Sequence, residues 1–88
     1  MNIKSGFMLR KVVDIYVILG IGSEAYAPRQ IMSVNETGAF LWKLLETGTD
    51  REALVEALLS EFEVDRAVAE KDVDAFLATL QEKALIDE

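Results

Sequence analysis

The chain has 88 residues, of which 51% are hydrophobic, and it carries a formal net charge of −7 with one proline and five glycines. This composition is typical of one small folded domain spanning residues 1–88, because disordered chains contain fewer apolar residues. Cysteine and histidine are both absent, which excludes thiol nucleophiles, Ser-His-Asp triads, and the zinc or iron–sulfur sites that need those ligands. We therefore expect no metal site, no cofactor and no enzyme activity.

The first 34 residues predict three short antiparallel strands. FMLRK (7–11) and DIYVIL (14–19) are rich in apolar and β-branched residues, and the short segment between them predicts a turn. GIGSE (20–24) predicts a loop, which Pro28 extends as a breaker. IMSV (31–34) then predicts the third strand.

The apolar run IYVILGI (15–21) also has to be weighed as a targeting segment. It follows basic residues, which is the order of a secretory signal, but Asp14 adjoins it and cleavage there would remove every predicted strand. It is too short to cross a bilayer. We interpret the run as a strand and, with no disulfide to require an oxidising compartment, expect a cytoplasmic protein without membrane contact.

From Asn35 onwards the apolar residues follow helical spacing. Asn35 is the predicted N-cap of a first helix that ends at Thr47 and Gly48, where glycine suits the left-handed position after a helix. Thr49 and Glu52 predict a capping box at the start of the second helix. Asp65 is the predicted cap of the third helix. The inward-facing positions of that helix are predicted to be Ala69, Val73, Phe76, Leu77, Leu80 and Ala84.

Three short strands followed by three helices predict an α+β fold with the helices on one side of a small antiparallel sheet, the plan of a winged helix-turn-helix. LIDE (85–88) is expected to be too short to add an element. The IMSV strand carries no charge, although proteins normally blunt an exposed sheet edge with charges or proline. An uncharged edge is the physical requirement for binding by strand addition.

Charge is distributed unevenly along the chain. Residues 1–43 contain five Lys/Arg and three Asp/Glu, which gives a net charge of +2. Residues 44–88 contain four Lys/Arg and thirteen Asp/Glu, which gives a net charge of −9. A winged helix-turn-helix suggests DNA binding, but an acidic third helix would repel phosphates. We predict no nucleic-acid partner and interpret most of the acidic residues as solvated helix faces.

Motifs along essentially the whole chain carry a resemblance to a known family. The most specific motif is VNETGAFLWKLLETG (34–48), and GFMLR (6–10), EALVEALLSEF (52–62) and the spacing DV…FL…L from residue 72 support it. With these motifs the sequence resembles the PqqD family, whose members are also called RiPP recognition elements. The departures are Ala84, where members often have glycine, and the lack of a short glycine turn before the third strand.

The resemblance implies a peptide-binding domain. Such proteins, which act as peptide chaperones, bind the leader segment of a ribosomally made precursor peptide and present it to a modifying enzyme, for the name-giving members a radical S-adenosylmethionine enzyme. The leader is taken up as an added strand on the edge of the third strand, with side chains in the groove beside the third helix. The residues predicted to pair with the leader are Ile31, Met32, Ser33 and Val34. The predicted groove wall, on the more apolar flank of the third helix, is Val68, Asp72, Phe76 and Thr79.

Other interpretations of these residues remain open at this point. Phe76 is equally well explained as a core residue, and Asp72 as a solvated or lysine-paired one. Trp42 is interpreted as core, not as a ligand contact. The same sheet edge could instead pair two copies into a homodimeric adaptor, and a DNA-binding regulator is the least favoured alternative.

Overall fold

The computed structural model describes residues 1–21 and 29–87 and has an α+β architecture. The strands are β1 (Asn2–Ile3), β2 (Phe7–Val12), β3 (Ile15–Gly20), β4 (Arg29–Val34) and β5 (Ile86–Asp87). The helices are α1 (Glu36–Glu46), α2 (Arg51–Glu61) and α3 (Arg66–Glu82). The predicted order of three strands and three helices is confirmed, with a short strand added at each end. Most of the predicted loop 20–24, and residues 25–28, lie outside the described residues.

The chain contains two short strands that the sequence pattern did not predict. β1 and β5 pair antiparallel, with Asn2 opposite Asp87 and Ile3 opposite Ile86. The expectation that LIDE adds no element is therefore wrong, because a strand of two residues is too short to show a periodic pattern. β2, β3 and β4 form a separate antiparallel sheet in that order, so β3 is central and β4 lies at one edge.

The edge strand β4 begins at Arg29, two residues earlier than the predicted third strand. Its register with β3 shifts between Ile18 and Leu19, and Ile31 is the extra residue on the β4 side. Such a bulge bends an edge strand and increases its local twist. The pairing is regular again from Met32 onwards.

Two of the predicted helix caps are confirmed. The Asn35 side-chain oxygen accepts a hydrogen bond from the Gly38 amide at 2.8 Å, and the Asp65 carboxylate accepts one from the Val68 amide at 2.9 Å. Gly48 follows α1 with φ of +87°, the left-handed conformation that glycine adopts without strain. The boundaries of α1 and the start of α3 therefore follow from local side-chain chemistry.

The predicted start of α2 is wrong by one residue. Asp50 is the N-cap, and its carboxylate accepts a hydrogen bond from the Ala53 amide at 2.8 Å, so Thr49 and Glu52 do not form the capping box. Aspartate caps a helix at least as well as threonine. The Thr49 amide donates instead to the Met1 carbonyl at 3.0 Å, which joins this turn to the beginning of the chain.

The core lies between the helices and one face of the sheet and is centred on Trp42. Trp42 is fully buried, as predicted, and its indole N–H donates to the Glu46 carboxylate at 3.3 Å. Phe40 meets Phe62 edge to face, with ring centroids 5.4 Å apart, which joins α1 to the end of α2. The other large side chains that are fully buried include Ile18, Leu41, Leu45, Leu54, Leu58, Leu80 and Leu85.

The inward face of α3 follows the predicted helical stepping, with one exception. Its buried residues are Ala69, Val73, Leu77 and Leu80. Phe76 is partly buried and packs against the core. Ala84 is exposed, so its predicted inward position is wrong: α3 ends at Glu82, and Ala84 adopts a left-handed φ of +57°. A glycine at this position would avoid that conformational strain.

Candidate functional site

β4 presents an edge that can accept another strand. It pairs with β3 on one side, and no described strand pairs with its other side. Met32 and Val34 are partly buried and pack on the core, whereas Ser33 between them is exposed. Alternate N–H and C=O groups of an antiparallel strand point away from its partner, so this edge offers main-chain hydrogen bonds to an extended chain.

A cleft of about 260 Å³ lies between the first turns of α1 and the middle of α3. Its lining residues are Asn35, Thr37, Gly38, Leu41, Asp72, Ala75, Phe76 and Thr79. The structure thus brings three of the four predicted wall residues of α3 to one cleft. The fourth, Val68, lies one helical turn before Asp72 and is 43% exposed, but it does not line the cleft.

Gly38 joins the cleft to the end of β4. A Cβ atom at this position would lie 3.1 Å from Val34 Cβ and 3.3 Å from the Phe76 ring, which is tighter than nine in ten real Cβ contacts and would require these neighbours to shift by a few tenths of an ångström. The strand, α1 and α3 therefore meet at a point where only a glycine fits without displacing its neighbours. The free edge of β4 and the cleft are adjoining parts of one surface.

The wall of the cleft that α1 supplies was not predicted from the sequence. That wall consists of Asn35, Thr37, Gly38 and Leu41. Glycine in the first turn of an otherwise good helix was the available signal, since it costs helix stability relative to alanine. The close approach of Phe76 and Val34 to Gly38 accounts for the glycine.

The opposite flank of α3 is fixed against α2. Arg51 donates two hydrogen bonds to the Asp74 carboxylate, at 2.6 Å and 3.0 Å. This hydrogen bonding is the largest cause that raises the pKa of Arg51 and lowers the pKa of Asp74. Arg66, at the start of α3, pairs with Glu56 and Glu52 of α2. These contacts leave the flank that carries Asp72 facing the cleft.

Asp72 is the charged residue of the cleft lining. It is exposed, and the ion pairs found within residues 1–21 and 29–87 involve Arg51 and Arg66 but not Asp72. Among the described residues no lysine forms an ion pair with Asp72, so the structure does not support its interpretation as a lysine-paired residue. Phe76 was interpreted either as a core residue or as part of the groove wall. Its ring does both, because it packs on the core and also lines the cleft.

The groups on this surface are of kinds that bind a ligand through main-chain and side-chain contacts. It combines main-chain groups along β4 with an aromatic ring, hydroxyl groups and one carboxylate in the cleft. Such groups can hold an extended peptide and its alternate side chains. In the part of the chain that the structure describes, no group of three or more acidic residues is placed to hold a metal ion. No helix there is long and apolar enough to cross a membrane.

Comparisons with known proteins agree in family and in fold. A family model described as "Coenzyme PQQ synthesis protein D (PqqD)" matches residues 16–86. The solved structure of TbiB1 in complex with the TbiA(beta) leader peptide is similar, at 30% identity with a TM-score of 0.75 over 99% of this chain and 95% of that chain. Lasso peptide synthetase B1 complexed with the leader peptide shares the fold, at 24% identity and a TM-score of 0.69 over 96% and 93%. No curated protein matches the sequence.

Proposed function

The chain belongs to the PqqD family, and we propose that it binds the leader segment of a ribosomally synthesised precursor peptide. The observation that carries the proposal is the free edge of β4 beside a cleft on α3. The similar protein TbiB1 was solved in complex with a leader peptide, which supports the same class of ligand for this chain.

The proposed mode of binding is strand addition along β4. Main-chain hydrogen bonds to Ile31, Met32, Ser33 and Val34 supply affinity, and alternate side chains of the leader enter the cleft and supply specificity. From Asp72 to Thr79 the α3 side of the cleft is about 10 Å long, which equals roughly three residues of extended chain. We therefore propose that about three or four leader residues lie along the cleft, one or two of which direct side chains towards α3.

In this proposal the chain presents its peptide to a separate modifying enzyme, a radical S-adenosylmethionine enzyme or another enzyme that acts on the peptide. The absence of cysteine and histidine from the sequence supports this division, because iron–sulfur chemistry needs such ligands and would belong to the partner. The domain itself recognises the leader and positions the precursor peptide for the enzyme.

The experiment that tests the proposal is a titration of isotopically labelled protein with the leader of the precursor peptide encoded beside it. We expect saturable backbone amide shifts concentrated at residues 31–34 and along α3. A scrambled leader of the same composition is the matched control and should cause no saturable shifts. Equal shifts with both peptides, or none with either while the protein remains folded, would contradict the proposal.

The free edge of β4 also favours a second candidate, a homodimer formed by pairing two copies of this strand. Light scattering distinguishes the two, because a dimer formed through this edge gives a mass that increases with protein concentration. Addition of leader would then lower the mass if peptide and second copy compete for β4. A constant monomer mass across the concentration range would exclude the dimer.

A further inference from the structure

Resting on the proposed function, we infer that the cleft selects a leader peptide with a lysine or arginine at the position facing Asp72. The residues that form the cleft define the chemistry of the side chain that fits. Ala75 and Phe76 supply accessible apolar surface, while Asp72 supplies a formal negative charge. Lysine and arginine match this combination, because their long stems pack on apolar surface while the cationic group stays at a polar boundary.

The carboxylate of Asp72 is available to a ligand. No lysine or arginine of residues 1–21 and 29–87 lines the cleft, and Asp72 takes part in none of the ion pairs found among those residues. The contrast with Asp74 is direct, since the carboxylate two residues later is held by Arg51. A cationic side chain from the peptide would give Asp72 the partner that Arg51 gives Asp74.

Two further features of the cleft favour a cation over a neutral side chain. The Phe76 ring lines the same cleft, and an aromatic face attracts an ammonium or guanidinium group within about 6 Å of its centre. The hydroxyl of Thr79 donates to the Ala75 carbonyl at 3.0 Å, so its oxygen lone pairs remain able to accept from an ammonium or guanidinium N–H group. Hydrogen bonds from a charged donor are stronger than those from a neutral one.

The part of the chain that contains α3 has an excess of charge of the same sign as Asp72. Residues 44–88, which include α2 and α3, contain thirteen Asp/Glu and four Lys/Arg. A surface with this excess of negative charge attracts a cationic peptide and raises its association rate, and added salt weakens the effect. The preference for a cationic side chain at Asp72 therefore acts together with a general electrostatic attraction between this acidic surface and basic leaders.

The test uses the same leader peptide and measures dissociation constants by fluorescence anisotropy. Asp72→Asn keeps the size of the side chain and removes its charge, and each lysine or arginine of the leader is changed in turn to glutamine. We expect Asp72→Asn to weaken binding roughly tenfold, and one peptide position to weaken it by a similar factor. The two changes combined should weaken binding no more than either alone, because both remove the same contact.

Asp74→Asn is the matched control, since it removes one negative charge from the same helix on the flank that faces α2. It should change the dissociation constant by less than about twofold, because surface charges away from the contact act only through the screened field. If Asp72→Asn and Asp74→Asn have equal effects, the general charge and not the contact is responsible, and the inference is wrong.

Two other outcomes separate this inference from the proposed function. If the leader binds wild-type protein and Asp72→Asn equally, selection at Asp72 fails while leader binding stands. If the leader does not bind wild-type protein, the proposed function itself fails. A purely structural Asp72, stabilised by the N-terminal end of α1, would give Asp72→Asn a lower thermal midpoint without discrimination between lysine and glutamine leaders, which would also overturn the inference.

Discussion

The two flanks of α3 each carry an aspartate, and the two aspartates have different surroundings. On one flank, Asp74 is paired with Arg51 and the helix is closed against α2. On the other, Asp72 and Phe76 line an open cleft beside α1 and the end of β4. A helix whose orientation is fixed by its buried stripe can therefore close one flank against a neighbouring helix and leave the other flank open to a ligand.

The largest effect is expected from the core on which both flanks depend. Trp42 is fully buried, so Trp42→Ala should lower the free energy of unfolding by about 3–5 kcal/mol, through lost burial and the cavity left behind. Chemical denaturation monitored by circular dichroism measures this loss. Leader binding should fail with it, because neither flank keeps its position. A loss below about 1 kcal/mol would show that the ring does not support the core.

The second effect is that of proline in β4, which distinguishes the main-chain groups on the free edge from those that pair with β3. Proline removes an N–H group, and Met32 and Ser33 direct theirs to opposite sides of the strand because N–H directions alternate. We expect Met32→Pro and Ser33→Pro to differ. One should abolish leader binding with the helical circular dichroism signal intact, and the other should disrupt pairing with β3 and destabilise the fold. If a folded variant with proline at the outward position still binds, strand addition is excluded.

The third effect is a change in the cleft beside Phe76, on the flank of α3 that carries Asp72. Gly38→Ala places a Cβ atom against Val34 and Phe76, so either the ring moves into the cleft or the helix shifts. Alanine also gains up to about 1 kcal/mol of helix propensity, which offsets part of the crowding. We expect a change in stability within about 1 kcal/mol of zero and clearly weaker leader binding. Calorimetry of unfolding and of binding on the same sample tests this, and unchanged affinity would show that the leader does not reach the glycine.

The smallest effect is expected on the closed flank. Arg51→Gln should reduce stability slightly and leave leader binding unchanged, because an exposed ion pair contributes little in water. Its hydrogen bonds lower the pKa of Asp74 below the ordinary 3.8, so the pair stabilises the fold above that pH and loses its contribution as pH falls through the folded value. The thermal midpoints of wild type and variant should therefore converge in acid. A constant difference at all pH values would contradict this assignment.

Local chemistry made much of the fold predictable from the sequence. Helical spacing identified the buried stripe of α3, and Asn35 and Asp65 identified the starts of two helices. The predicted start of α2 was wrong because Thr49 and Asp50 are both good caps. The hydrogen bond from the Thr49 amide to the Met1 carbonyl is a long-range contact that local sequence does not reveal. β1 and β5 were missed for the same reason, since two-residue strands exist only through their pairing.

The candidate site was predictable to a similar degree. Helical stepping selected the flank of α3 that carries Asp72, Phe76 and Thr79, and these three line the cleft. The wall supplied by α1 was not predictable, because the approach of Gly38 to Phe76 joins residues far apart in the sequence. Contact of these residues, and of β4, with a leader remains a prediction that the titration will decide.

The pairing of β1 with β5 also determines how this domain can be joined to others. Asn2 lies against Gly48 at the end of α1, whereas the cleft lies at the first turns of that helix, about 16 Å away for a helix of this length. Two polypeptide linkers attached at the β1 and β5 ends would leave side by side and away from the cleft. The domain could thus be inserted into a surface loop of an enzyme with its cleft unobstructed. A leader peptide bound as proposed would then be supplied to that enzyme at an effective concentration set by the linker lengths.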